Sequence, residues 1–164
     1  MDAAARARLR SHRFRAPGLV LGFGHPQRGD DAVGPLVVER LRKWLPPMWR
    51  AESAGDDRAR WARLLADYES LITIDAMVAP EHPEGSLLLR WPERAAPDTA
   101  ESLKLRHGMG PRDLLGRAHS LALRVPGTLC VDVVAAHFDL GAAICPAVLD
   151  AVAEIEAALY EVWR

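Results

Sequence analysis

The sequence predicts an α/β fold in which a largely parallel sheet is covered by helices on both faces. Three observations predict it. Short apolar runs of strand type recur along the chain, amphipathic helical segments alternate with them, and glycine or proline marks most junctions. The clearest junction is Leu19–Gly34 (LVLGFGHPQRGDDAVG). It starts as an apolar strand, turns on Gly22, Gly24, Pro26 and Gly29, and resumes helical periodicity just after Asp30 and Asp31.

With 164 residues, 49% of them hydrophobic, the chain suits one domain with a sizeable core. No apolar stretch approaches the roughly 20 residues of a membrane span. A formal net charge of −1 removes the usual electrostatic case for nucleic acid as main partner. Cys130 and Cys145 form no CxxC, which fits a reducing cytoplasm and argues against a disulfide framework or a thiolate zinc site.

Residues 1–16 carry Arg6, Arg8, Arg10, Arg13 and Arg15 and read as a flexible or weakly helical basic tail, leaving 17–164 as the single domain. After the opening turn, Val33, Val37, Leu41 and Trp44 recur at helical spacing. They predict a helix from about Ala32 to Leu45, stopped by Pro46-Pro47, with Asp30 or Asp31 as its N-cap. Met48–Ser53 suits a second strand. Trp61, Leu64, Leu65 and Tyr68 mark a helix that starts near Asp56 or Asp57. Leu71–Asp75 (LITID) is a buried-type strand ending in an acid, and Gly85–Trp91 is another strand. Residues 92–106 read as a long surface loop. Beyond it stands His107, and Pro111 suits the first turn of a helix that buries Leu114, Leu115 and Ala118. Thr128–Val134 is the last strand. The final helix opens near Cys145-Pro146 and carries Val148, Val152, Ile155, Leu159 and Val162 on its apolar face.

Open α/β sheets bind ligands beyond the carboxyl ends of their strands. Asp31 lies just past the first strand and Asp75 ends the third, so parallel strands bring both to one edge. The loop carrying His107 can return there too. Two carboxylates and an imidazole suit a divalent metal with open positions. The plainer alternatives are a turn-capping Asp75 and an ordinary loop histidine at 107. Other chemistry is poorly represented. Gln27 stands where a dinucleotide fingerprint has its third glycine, and neither GxSxG nor a Walker GK[ST] occurs. Cys130 reads as an inert core thiol, and Cys145 as a neutral residue at a helix start.

The stretch GFGHPQRGDDAVGPLVVERL resembles the N-terminal signature of the hydrogenase maturation proteases, G-[IV]-G-N, a short spacer, then D-[DE]-G-x-G-P and an amphipathic helix. The strand end ITIDA with Asp75, the histidine of RHGMGPRDLL, the strand Thr128–Val134 and the Gly141–Pro146 segment follow in the family's order. The resemblance covers Leu19 to the last residue. Two positions depart from the pattern: His25 replaces the usual Asn, and Ala32 the usual Gly. For His25 the choice lies between an added metal ligand and a turn-stabilising polar contact, and the second is the expectation.

The resemblance implies a three-layer sandwich, a twisted and mostly parallel sheet between helices. It implies a cytoplasmic, monomeric endopeptidase that removes the C-terminal extension from the large-subunit precursor of a nickel-iron hydrogenase after nickel insertion. Asp31, Asp75 and His107 would contact nickel carried by that precursor, with no organic cofactor. A non-catalytic precursor-binding chaperone on the same fold, or a metallohydrolase whose own metal is held with help from His25, are the alternatives.

Overall fold

The computed structural model describes residues 1–55, 58–92 and 110–164. The expected long loop before the Pro111 helix, His107 and the Asp56-Asp57 helix start lie outside the described residues. In chain order the elements are α1 (Ala3–Ser11), β1 (Gly18–Gly22), a 3₁₀ turn (Gly29–Ala32), α2 (Val33–Leu41), β2 (Trp49–Ser53) and α3 (Arg58–Leu64). There follow β3 (Ser70–Met77), β4 (Leu87–Arg90), α4 (Pro111–Ser120), β5 (Gly127–Val134) and α5 (Pro146–Trp163).

The five strands pair in the order β2-β1-β3-β5-β4, parallel except for β4, which runs antiparallel to β5 at the edge. Residues 78–86 between β3 and β4 are too few for the helical crossover that a parallel return requires, so the chain comes back reversed. Side chains alternate between the two faces of the sheet. Val20, Ile72, Ile74, Leu129, Val131 and Val133 pack against α2 and α5, whereas Leu19, Leu21, Leu71 and Cys130 pack against α3 and α4. Every residue of β1 is buried, as expected of a central strand covered on both sides. This is the three-layer α/β arrangement that the sequence predicts.

Two elements differ from expectation. α2 starts where expected but ends four residues short of Leu45, at Leu41. A 3₁₀ turn, Gly29–Ala32, leads into it, and beyond Leu41 the backbone tightens, with Lys43 N–H donating to the Arg40 carbonyl and Trp44 N–H to that of Leu41.

The basic segment expected as a tail contains a docked helix. Asp2 caps α1 by accepting from Ala5 N–H at 2.7 Å, and Leu9 is buried in the main core. The Met1 ammonium and Arg6 both bind Glu154 of α5, Arg10 binds Glu161, and the Arg8 guanidinium lies 4.1 Å over the Trp91 ring. Ion pairs this exposed contribute little singly, so the docking rests on Leu9 together with the pairs around Glu154.

Burial pushes the Glu154 carboxyl up, but the Met1 ammonium and Arg6 outweigh burial and hold it below the ordinary value of 4.5. A carboxylate held low in the folded state contributes stability that is present above its ordinary value and lost as pH falls through the lowered one. Hydrogen exchange of the α1 amides, corrected for intrinsic rate, is therefore expected to accelerate as pH drops below 4.5. In Glu154→Gln it is expected to be fast at neutral pH as well. Unchanged α1 protection in that variant would refute the docking role of Glu154.

Candidate active site

β1 stops at Gly22, in register with Ile74, while β3 runs on to Met77. Phe23 makes one more bond across the ladder, its N–H donating to the Ile74 carbonyl at 2.8 Å. The chain then reverses at Gly24, whose φ is +112° and where an added Cβ would lie 1.9 Å from the carbonyl oxygen of Asp31. Only glycine permits both the backbone angle and the approach. His25 N–H donates to Asp31 Oδ2 at 2.8 Å, and Gln27 N–H donates to His25 Nδ1 at 3.2 Å. His25 therefore has the turn-stabilising contact that the sequence led us to expect. Gly34, in the first turn of α2, packs so closely that a Cβ there would meet the Phe23 backbone and, at 2.9 Å, the Ile74 carbonyl. The 3₁₀ turn carrying Asp31 is thereby pressed onto the ends of β1 and β3.

Asp75 is the next residue after Ile74, half-buried like Asp31. The strand order thus brings Asp31 and Asp75 to one edge although they lie 44 positions apart in the sequence; what joins them is the β1–β3 ladder. His107 lies outside the described residues, so its place relative to the two acids is not part of this geometry. Among the described residues no three His, Cys, Asp or Glu side chains form a metal-holding group.

Asp30 does something the sequence did not indicate. Expected as the cap of α2, it makes no such bond; Ala32 is the N-cap and caps without its side chain. Asp30 is instead fully buried, and its carboxylate accepts from Ala136 N–H at 3.4 Å, His137 N–H at 3.1 Å and Cys145 N–H at 2.8 Å. Asp30 N–H donates in turn to the His137 carbonyl, and Gly141 N–H to that of Gln27. The opening turn and the loop after β5 are thus fastened together around one buried acid, next to Asp31 in the chain.

The two thiols are as inert as the sequence suggested. Burial pushes the Cys130 thiol up, and the neighbouring Thr73 hydroxyl only partly opposes it. Burial raises Cys145 as well, with Asp30 adding to the effect. Neither is poised as a thiolate nucleophile.

Sequence reasoning missed Asp132 and Arg90. Asp132 is 2% exposed within β5, in register with Asp75, and Arg90 of β4 donates to its Oδ2 from Nε and Nη2. The available signal was an acid inside the apolar run TLCVDVV, where a buried charge demands a partner.

No family model matches the sequence, and no curated protein matches it. Solved structures do. The nickel-iron hydrogenase maturation protease HycI of Thermococcus kodakarensis superposes with a TM-score of 0.73 at 16% identity, covering 99% of this chain and 100% of that one. The chain has the hydrogenase maturation protease fold. The hydrogenase 2 maturation peptidase of a Thaumarchaeota archaeon shares that fold with a TM-score of 0.64 at 25% identity, over 89% of this chain and 97% of its own. The hydrogenase maturating endopeptidase HybD of E. coli gives 0.64 at 22% identity, over 88% and 92%. The family that the opening stretch resembles in sequence is therefore also the one whose architecture this chain has, nearly end to end.

Proposed function

We propose that the protein is an endopeptidase of hydrogenase maturation, which removes the C-terminal extension of a nickel-iron hydrogenase large-subunit precursor once nickel has been inserted. The observation that carries this reading is the placement of Asp31 and Asp75 at one sheet edge, on a fold shared over nearly its whole length with maturation proteases. The precursor is the protein partner, met in the cytoplasm by a single copy of this chain. Among the described residues no helix is long and apolar enough to cross a membrane, which is compatible with that setting.

In this reading the metal belongs to the substrate. Nickel held by the precursor supplies Lewis acidity, which polarises the scissile carbonyl or lowers the pKa of a bound water. Asp31 and Asp75, with His107, would add protein ligands to it and so fix the scissile bond against the sheet edge. A carboxylate oxygen not engaged by the metal would take up the proton of the attacking water. His25 N–H, bonded to Asp31 Oδ2, holds one oxygen of that carboxylate and fixes its direction. The inert character of both thiols suits a reaction without a cysteine nucleophile.

The test mixes purified protein with large-subunit precursor, prepared with and without inserted nickel, and reads product mass. The nickel-loaded precursor is expected to lose its extension and the nickel-free one to stay intact. Equal trimming of both would sink the metal-reading mechanism. Binding of the precursor without any cleavage would instead support the chaperone.

A further inference from the structure

The opening turn carries one arginine, Arg28, three residues ahead of Asp31. Its backbone is tied on both sides, Arg28 N–H donating to the His25 carbonyl and Asp31 N–H to that of Arg28, each at 3.1 Å. The exposed side chain reaches the loop after β5, where Nε–H donates to the Phe138 carbonyl at 3.3 Å. Phe138 packs against the main core, so this acceptor is anchored. The bond joins the loops that follow β1 and β5, and β3, which carries Asp75, lies between those two strands. The guanidinium is thereby held on the rim of the edge where Asp31 and Asp75 arrive.

That bond is not what holds the two loops together. The Asp30 carboxylate already fastens them through three N–H groups, and Asp30 N–H and Gly141 N–H add two backbone bonds. A long, exposed contact adds little to these. It also occupies Nε alone. Among the described residues Nη1 and Nη2 make no hydrogen bond or ion pair, although Asp139 follows Phe138 in the chain. Two histidines of the same loops are differently engaged, His137 Nε2 lying 3.8 Å from Glu84 Oε1 and His25 Nδ1 accepting from Gln27 N–H. A guanidinium stays charged and has no lone pair to offer a metal, so its use here lies with an anion. Held at one corner with its fork open, it is shaped to take a carboxylate through two parallel bonds.

We propose that Arg28 is a specificity-determining residue, which binds a carboxylate of the precursor's C-terminal extension through Nη1 and Nη2 and so holds the scissile bond against the sheet edge. This rests on the functional reading given above. In that reading the nickel-bearing part of the precursor meets Asp31 and Asp75, which leaves the extension to run along the rim. The carboxylate belongs either to an acidic side chain of the extension or to its terminus, since both present the same pair of oxygens to the fork.

Arg28→Met keeps the apolar stem of the side chain and removes the fork. Its thermal melt is expected to match wild type, its KM for nickel-loaded precursor to rise about tenfold, and its kcat to stay within about twofold. The dissociation constant of the precursor, read by calorimetry, is expected to rise by the same factor, and the gap between the two proteins to narrow as ionic strength increases. A merely structural arginine would lower the melt and leave KM alone. Two altered precursors identify the carboxylate. One has its terminal carboxylate converted to the amide, and the other has the acidic side chains of its extension replaced by Asn or Gln. The precursor that lacks the bound group is expected to raise the KM of wild type about tenfold and to cost Arg28→Met nothing further. The proposal is overturned if neither change affects wild type, or if each change costs both proteins equally. A folded Arg28→Met protein with wild-type KM and affinity overturns it as well. Wild type that binds precursor without trimming it refutes the peptidase reading, while the affinities still decide the role of Arg28; wild type that neither binds nor trims refutes both.

Discussion

Asp31→Asn and Asp75→Asn are each expected to lower trimming of nickel-loaded precursor by about 100-fold or more, the scale of a positioned ligand or base. Both variants are expected to fold. Asparagine at 31 retains a carbonyl oxygen to accept the His25 N–H, so the turn that holds it survives. Asp31 and Asp75 are only half-buried, so neither substitution opens a core cavity. What the amide removes is the negative charge and the basic oxygen, the two properties that the mechanism uses. Single-turnover trimming at matched precursor concentration, beside a thermal melt, separates this loss from misfolding. Trimming within a few-fold of wild type, with an unchanged melt, would remove these acids from the chemistry.

Asp30→Ala is expected to have the largest effect on stability, a loss of about 2–5 kcal/mol. The carboxylate satisfies three backbone N–H groups from the loop after β5 and the start of α5, and it is completely buried. Alanine leaves those donors without their acceptor and also leaves a small void. Against a typical total stability of about 5–15 kcal/mol this is a substantial fraction. Urea unfolding should show a lowered midpoint with the slope little changed. A loss below about 1 kcal/mol would mean that water replaces the carboxylate and that the two loops are held by other contacts. Because Asp31 is the next residue, the same variant is expected to weaken trimming in the fraction that remains folded.

Much of the site was legible because its first elements are local. β1, its turn and α2 are contiguous in sequence, and the pattern of apolar run, glycines and helical periodicity is written within Leu19–Leu41. Asp31 follows from where β1 ends, and Asp75, expected at the end of its strand, lies two residues inside β3 but one step past the end of the β1 ladder, so both reach the same side of the sheet. Asp30 was misread for the opposite reason. A cap is a contact with residues two or three positions on, whereas its bonds reach 106, 107 and 115 positions along the chain. The docking of α1 was equally hidden, because only Leu9 is buried among many arginines and the acids that receive them lie on the last helix.

The sequence by itself determined the α/β class, the order of strands and helices, the opening turn and the arrival of Asp31 and Asp75 at one sheet edge. Those features follow from hydrophobic period, turn chemistry and the rule that parallel strands share an end. Tertiary structure alone decided which polar groups meet inside. It fastened Asp30 to the loop after β5, laid Asp132 beside Asp75, and reversed β4 so that Arg90 could reach Asp132. A buried charge must find its partner in three dimensions, and the partner's distance along the chain carries no local signal.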